Sequence, residues 1–126
     1  MSKLPDKSNY VDQAEKIMLE IKNEKYRDDI ITTNKIRNML TLMTELYNAV
    51  KNQHSAALDD NIRSRIGYTR MRLVYEAGRD RGVKNLLNKS ELLDYIKSIN
   101  NRDSLMLVCH YMEALVAYHK YYIDKQ

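Results

Sequence analysis

The chain has 126 residues, of which 44% are hydrophobic and 30% charged, and carries a net charge of +4. That length suits one domain with one core, and that balance excludes a disordered chain. A single cysteine, Cys109, excludes an intrachain disulfide and a zinc site built on thiolates.

One proline and three glycines leave little turn material for a β-rich fold, whereas long helices need none. The expected fold is all-α, a compact bundle of about five helices, with 1–126 as a single helical domain. Residues 1–9 are polar and read as a flexible N-terminus. They carry no apolar stretch, so no leader is expected, and no later apolar run is long enough to span a bilayer. A cytoplasmic location fits best.

A first helix is expected over 11–24, where Val11, Ala14, Met18 and Ile21 share one face. The charged stretch 23–29 reads as a loop. Thr32 or Thr33 is a suitable N-cap for a second helix reaching Gln53. Its apolar stripe runs through Ile36, Met39, Leu40, Met43, Leu46, Tyr47 and Val50. Asp59 or Asp60 caps a third helix reaching Arg81, with Gly82 as its stop. A short helical turn follows at 83–88, then a fourth helix over 90–99. After the turn at Asn100 and Asn101, a last helix starts at Asp103 and runs to about Tyr122. It is apolar on nearly all sides between Leu105 and Tyr118, as befits a helix in the middle of a bundle.

Catalytic signatures are missing. There is no Gly-rich phosphate loop, HExxH pair or nucleophile elbow. His54 falls in a loop. His110 and His119 are nine residues apart and point to different faces, so they read as ordinary polar or half-buried side chains. Cys109 and His110 diverge around their helix, which disfavours a dyad. No acidic pair stands out as an acid/base couple. Neither a metal nor a cofactor is expected, and the chain reads as a non-enzyme.

At about 100° per residue, the third helix divides into stripes. Ile62, Ile66, Thr69, Leu73 and Ala77 make a core face, flanked by Arg63 and Arg70. A second stripe carries Arg65, Tyr68, Arg72, Tyr75 and Arg79. Arginines there could bind phosphate while the tyrosines stack on unpaired bases. The commoner arrangement of such a mixed stripe, and the one spacing alone favours, has the rings closing the core edge beneath solvating arginine stems. A third stripe holds Gly67, Met71, Val74 and Gly78. Two interior glycines on one side suggest close backbone approach, by another helix of the bundle, a second subunit or a nucleic-acid strand. On the second helix, Arg37, Thr44, Asn48 and Lys51 share a polar side. Lys35 sits beside N–H groups that suit an anion, or simply a capped, solvated helix end.

Several stretches together carry a resemblance. They are Tyr10-Val11-Asp12-Gln13-Ala14-Glu15, Thr32-Thr33-Asn34-Lys35-Ile36-Arg37, Tyr68-Thr69-Arg70, Val74-Tyr75-Glu76-Ala77-Gly78-Arg79 with Val83-Lys84, and Tyr111-Met112-Glu113-Ala114-Leu115-Val116-Ala117-Tyr118. In this order the chain, from about Tyr10 to Tyr122, resembles the small subunit of type III-A CRISPR effector complexes, the Csm small subunit. The resemblance implies a non-catalytic helical bundle that stacks in several copies. It implies as partners the backbone subunits, the large Palm-domain subunit, copies of itself, and single-stranded target RNA or CRISPR RNA, with no membrane. Arg37, Lys51, Arg70, Arg79 and Lys84 are the RNA-contact candidates by matching position. Arg65 and Arg72 are added on helix-face grounds, and Lys35 on its place at the start of the second helix. Gly67 falls outside the family pattern, and Ile123-Asp124 stands where glycines are expected. The alternative is a protein–protein adaptor that bridges subunits without touching RNA.

Overall fold

Four helices begin at a side chain that accepts a hydrogen bond from the backbone N–H three residues on. Thr32 accepts from Lys35 at 3.3 Å, Asp59 from Ile62 at 2.8 Å, Asp80 from Val83 at 2.9 Å and Asn101 from Ser104 at 2.8 Å. Each satisfies one of the donors that a helix start leaves orphaned. The Ser104 hydroxyl also accepts from the Asn101 N–H, completing a capping box. The computed structural model describes residues 3–53 and 55–124; His54 lies outside them. The helices are α1 (Tyr10–Lys22), α2 (Thr33–Val50), α3 (Asp60–Arg79), α4 (Arg81–Ser90), α5 (Leu92–Lys97) and α6 (Arg102–Tyr122), with a 3-10 turn at Arg27–Asp29. The described residues contain no strand. The fold is therefore the expected all-α compact bundle, with six helices rather than about five.

The apolar last helix is central, as its composition requires. α6 packs against α1, α2 and α5, burying Leu105, Val108, Cys109, Tyr111, Met112 and Leu115. α3 lies outside it, on α2, α4 and α5. Its core face is as expected: Ile62, Thr69 and Leu73 are buried, with Ile66 and Ala77 packed half-buried beside them. Ahead of α1, the Lys3 N–H donates to Ser98 Oγ at 2.7 Å, the Lys3 ammonium pairs with the Glu91 carboxylate, and Pro5 is buried.

Two expected boundaries are corrected. The third helix stops at Arg79, and Gly82 is not its stop. Asp80 turns extended (φ −144°, ψ 120°) and serves as the cap of α4. Gly82 instead lies buried in the first turn of α4, where it admits the chain at Ile31. A Cβ there would stand 2.8 Å from Ile31 Cα and 2.9 Å from Ile31 N. The region read as one turn plus a fourth helix is two helices, α4 and α5. Glu91 divides them with a left-handed φ of 60°, a conformation that costs a non-glycine residue free energy.

The close approach at Gly82 belongs to a larger clamp. Asn85 Nδ2 donates to the Asp29 carbonyl at 2.9 Å, and Arg81 pairs with the Asp29 carboxylate at 2.8 Å. From α6, the buried His119 donates through Nε2 to the Ile31 carbonyl at 2.8 Å; because a carbonyl only accepts, that nitrogen carries the proton. The segment leading into α2 is thus held by α4 and α6 together, which fixes where Lys35 and Arg37 emerge. Loss of the Asp80 side chain in Asp80→Ala removes the α4 cap and should cost about 1 kcal/mol in a denaturant melt.

Cys109 is buried, its thiol 3.5 Å from the Met43 carbonyl. Burial, with Glu113 acting in the same direction, pushes its pKa from 9.0 up to about 12. The folded state therefore holds the proton more tightly. Its stabilising contribution is complete below pH 9 and falls away as pH rises toward 12. Cys109 should resist alkylation at pH 8 in the native protein and react at once in denaturant. Rapid native labelling, followed by intact mass, would contradict this.

Candidate nucleic-acid interface

α2 and α3 run side by side in opposite senses, so the first turn of α2 meets the last turn of α3. Lys35 Nζ and Arg79 Nη1 each stand 4.0 Å from a carboxylate oxygen of Glu76, one from Oε1 and the other from Oε2. The two cations thus share one anion and leave a local excess of positive charge. Exposed pairs of this length contribute little to stability. Their consequence is electrostatic: both heads are held at the same corner of the bundle.

Beside that corner lies a groove of ≈ 1020 Å³. Its walls come from the end of α1, the 27–33 segment, the α3–α4 junction and the end of α6. Lys22, Arg27, Arg79 and Arg81 line it, against Asp28, Asp80 and Asp124. The first turns of both α2 and α4 border it through Thr32, Thr33 and Arg81. Their N–H groups add partial positive charge. Tyr122, also in the wall, donates its hydroxyl to Glu15 Oε2 at 2.6 Å. That bond, ahead of burial, pushes its pKa up to about 12, so the phenol stays neutral.

The candidate residues divide among several surfaces. Arg79 lines the groove and Lys35 adjoins it through Glu76. Arg37 is exposed on α2 close by in sequence, its carbonyl accepting from the Thr41 hydroxyl at 3.1 Å. Arg70 is exposed, but nine residues before Arg79 it falls on the opposite edge of α3. Lys84 is exposed on α4. Lys51 is exposed at the far end of α2, where its carbonyl accepts from Arg102 Nη2 at 2.9 Å. Arg65 and Arg72 lie along the Arg79 edge of α3. Arg27 and Arg81 were missed. Arg27 sits in a stretch that reads as a loop, and only the folded chain brings it beside Arg79; Arg81 reads as the end of the third helix, and the break at Asp80 instead puts it at the start of α4 in the groove wall.

The Arg/Tyr stripe is neither a row of open stacking platforms nor a core edge. Tyr68 and Tyr75 are exposed. The Arg72 guanidinium lies 5.9 Å from the Tyr68 ring centroid and donates to its hydroxyl at 3.2 Å; that of Arg79 lies 5.4 Å from the Tyr75 centroid. Each ring thus has an arginine on one face.

A sequence model for the family described as Csm2 Type III-A matches residues 5–125. The chain belongs to this family. It is similar to the "CRISPR system Cms protein Csm2" of Streptococcus thermophilus, with 38% identity over 117 residues, 93% of each chain. The protein of the same description from Mycobacterium tuberculosis is 35% identical over 90% of each chain. That of Enterococcus italicus is 32% identical over 81% of this chain and 79% of its own.

Within this Csm2 member, the stretches that carry the resemblance fall at physically distinct places. Thr32 to Arg37 forms the capped start of α2 beside the groove. Val74 to Arg79 is the end of α3, including Glu76. Tyr111 to Tyr118 lies in α6 and buries Tyr111, Met112 and Leu115; the Tyr111 hydroxyl donates to the Ser90 carbonyl at 2.9 Å. That last stretch maintains the bundle, while the first two shape the corner where Lys35 and Arg79 meet Glu76.

Among the described residues, no group of three His, Cys, Asp or Glu side chains is arranged to hold a metal ion. His110 Nδ1 meets Glu113 Oε1 at 2.9 Å, and its ring stands edge-on to Tyr47. No described helix is long and apolar enough to cross a membrane.

Proposed function

We propose that this chain is a non-catalytic subunit of a type III-A CRISPR complex. It stacks in several copies along the channel for guide and target RNA and holds the RNA backbone through arginine and lysine. The supporting observation is the gathering of Lys35, Arg27, Arg79 and Arg81 beside the first turns of α2 and α4, among which Lys35 and Arg79 share Glu76 and Arg81 pairs with Asp29. Guanidinium groups and helix N–H donors both suit phosphate oxygens, and neither reads a base. Binding of this kind tolerates any sequence and depends on counterion release.

The test is titration of the purified chain, alone and with the other complex subunits, against a single-stranded oligouridylate over a range of salt. Affinity should fall steeply with salt, and the RNA should be recovered intact. Binding that is insensitive to salt would contradict the reading. A chain that joins the complex but never touches RNA would instead be an adaptor, a second reading that the exposed apolar face of α3 favours.

A further inference from the structure

The outward side of α3 is left uncovered by the bundle. Tyr68, Met71, Val74 and Tyr75 are exposed. A Cβ on Gly67 or Gly78 would meet nothing within 4 Å. Their expected use inside the bundle is therefore corrected: no other helix approaches them. Glu76 is different. It turns toward α2, and its side chain is only 21% exposed.

Carboxylates that fasten one segment to another in this fold make short contacts. Asp29 meets Arg81 at 2.8 Å, while Glu15 and Glu24 accept from Tyr122 and Asn85 at 2.6 Å. Glu76 is held differently, because Lys35 Nζ and Arg79 Nη1 both stop at 4.0 Å. The side chains of Lys35 and Arg79 are 35% and 59% exposed, so both heads stay open to solvent. Lys35 also belongs to the first turn of α2, whose N–H groups favour an anion. A carboxylate between two such cations occupies the kind of position a phosphate takes. Its tether to α3 keeps its local concentration high. An RNA phosphate must either displace it or accept its repulsion.

We infer that Glu76 is a built-in competitor of the RNA phosphate: it keeps Lys35 and Arg79 together as one phosphate position and limits how tightly each copy holds the strand. This rests on the proposed RNA contact and adds the regulation of that site. When a phosphate enters, both cations turn from the carboxylate to the phosphate oxygens, and no proton or covalent bond changes hands. Arg81 is not released in this way, because its short contact with Asp29 belongs to the clamp on the segment before α2.

The test is Glu76→Gln in the full-length chain, titrated with oligouridylate over a range of salt. Glutamine keeps the shape and removes the charge. Ion pairs of 4.0 Å at a partly exposed surface add little stability, so the melting transition should stay where it is. Binding should tighten at least about fivefold at low salt. The slope of log affinity against log salt should steepen by about 0.7, as one further phosphate is neutralised. Asp103→Asn is the control for net charge. It removes a carboxylate that is 81% exposed at the start of α6, the other end of the bundle from the groove, and should leave binding nearly unchanged. The gain from Glu76→Gln should also vanish in a chain that already carries Lys35→Ala and Arg79→Ala. Three results would overturn the inference: no tightening, a gain that Asp103→Asn matches, or a gain that survives the loss of both cations. In each of these, salt-dependent binding by the wild type leaves the RNA reading standing. A wild type that binds no RNA, alone or in the complex, would remove that reading and this inference with it.

Discussion

Gly82→Ala should lower the unfolding free energy by about 2 kcal/mol, although alanine is the better helix former. The added Cβ would stand 2.8 Å from Ile31 Cα and 2.9 Å from Ile31 N. Those are backbone atoms, so no side-chain rotation relieves the clash. Nor can the segment at Ile31 move away easily, because Asn85, Arg81 and His119 hold it from both sides. Either α4 shifts or the segment does, and each breaks hydrogen bonds. A loss of that size is a large share of a total near 5–15 kcal/mol. Gly67→Ala is the control. It lies in the interior of α3 with open space around the new Cβ, so it should gain about 0.5–1 kcal/mol. Urea melts of both variants check the pair. Equal effects would mean that the approach at Ile31 is not what requires glycine at 82.

The second large effect is on RNA. Arg37→Ala, Arg70→Ala and Arg79→Ala together should lower the slope of log affinity against log salt by about 2, since each phosphate neutralised on a single strand adds about 0.7 to it. The single variants should not be equal. Arg79 lines the groove, and Arg37 follows the capped start of α2 beside it. Arg70 stands on the opposite edge of α3. A strand held by the groove should therefore lose most from Arg79→Ala and least from Arg70→Ala. Filter binding at several salt concentrations reads this directly. An unchanged slope in the triple variant would show that these arginines meet no phosphate.

Much of the bundle was legible from residue order. Thr32 and Asp59 are side chains whose only strong local use is to cap, and the stripes of α2 and α3 repeat at helical spacing. The all-round apolar α6 had to be central. What escaped depended on partners distant in sequence. Nothing in Arg79-Asp80-Arg81 fixes the break between α3 and α4. It follows from α4 docking on the 27–31 segment, about fifty positions earlier. Glu91 is an unexpected residue for a left-handed turn, so α4 and α5 read as less regular than they are. Gly82 looked like a helix stop because glycine serves both as a terminator and as a place for close approach.

The candidate site was legible only in part. Arginine and lysine on helix faces also suit a solvated surface, and it was the resemblance that pointed to RNA. Lys35 and Arg79 come together only because α2 and α3 are antiparallel. Arg27 joins them only through the clamp on the segment before α2, whereas Arg81 follows Arg79 by two residues. Helix-wheel reasoning correctly separated Arg70 from Arg72, yet gave no sign that Arg79 would adjoin a groove built from four parts of the chain.

The central claim is direct contact between this subunit and the RNA backbone. It is tested most directly by ultraviolet crosslinking of the assembled complex, carrying its guide and a bound target, with the crosslinked peptides identified by mass. Crosslinks are expected in the peptides spanning Arg27 to Arg37 and Arg79 to Lys84, irrespective of the sequence of the RNA. A fully assembled complex in which this subunit yields no crosslink, while its neighbours do, would contradict it.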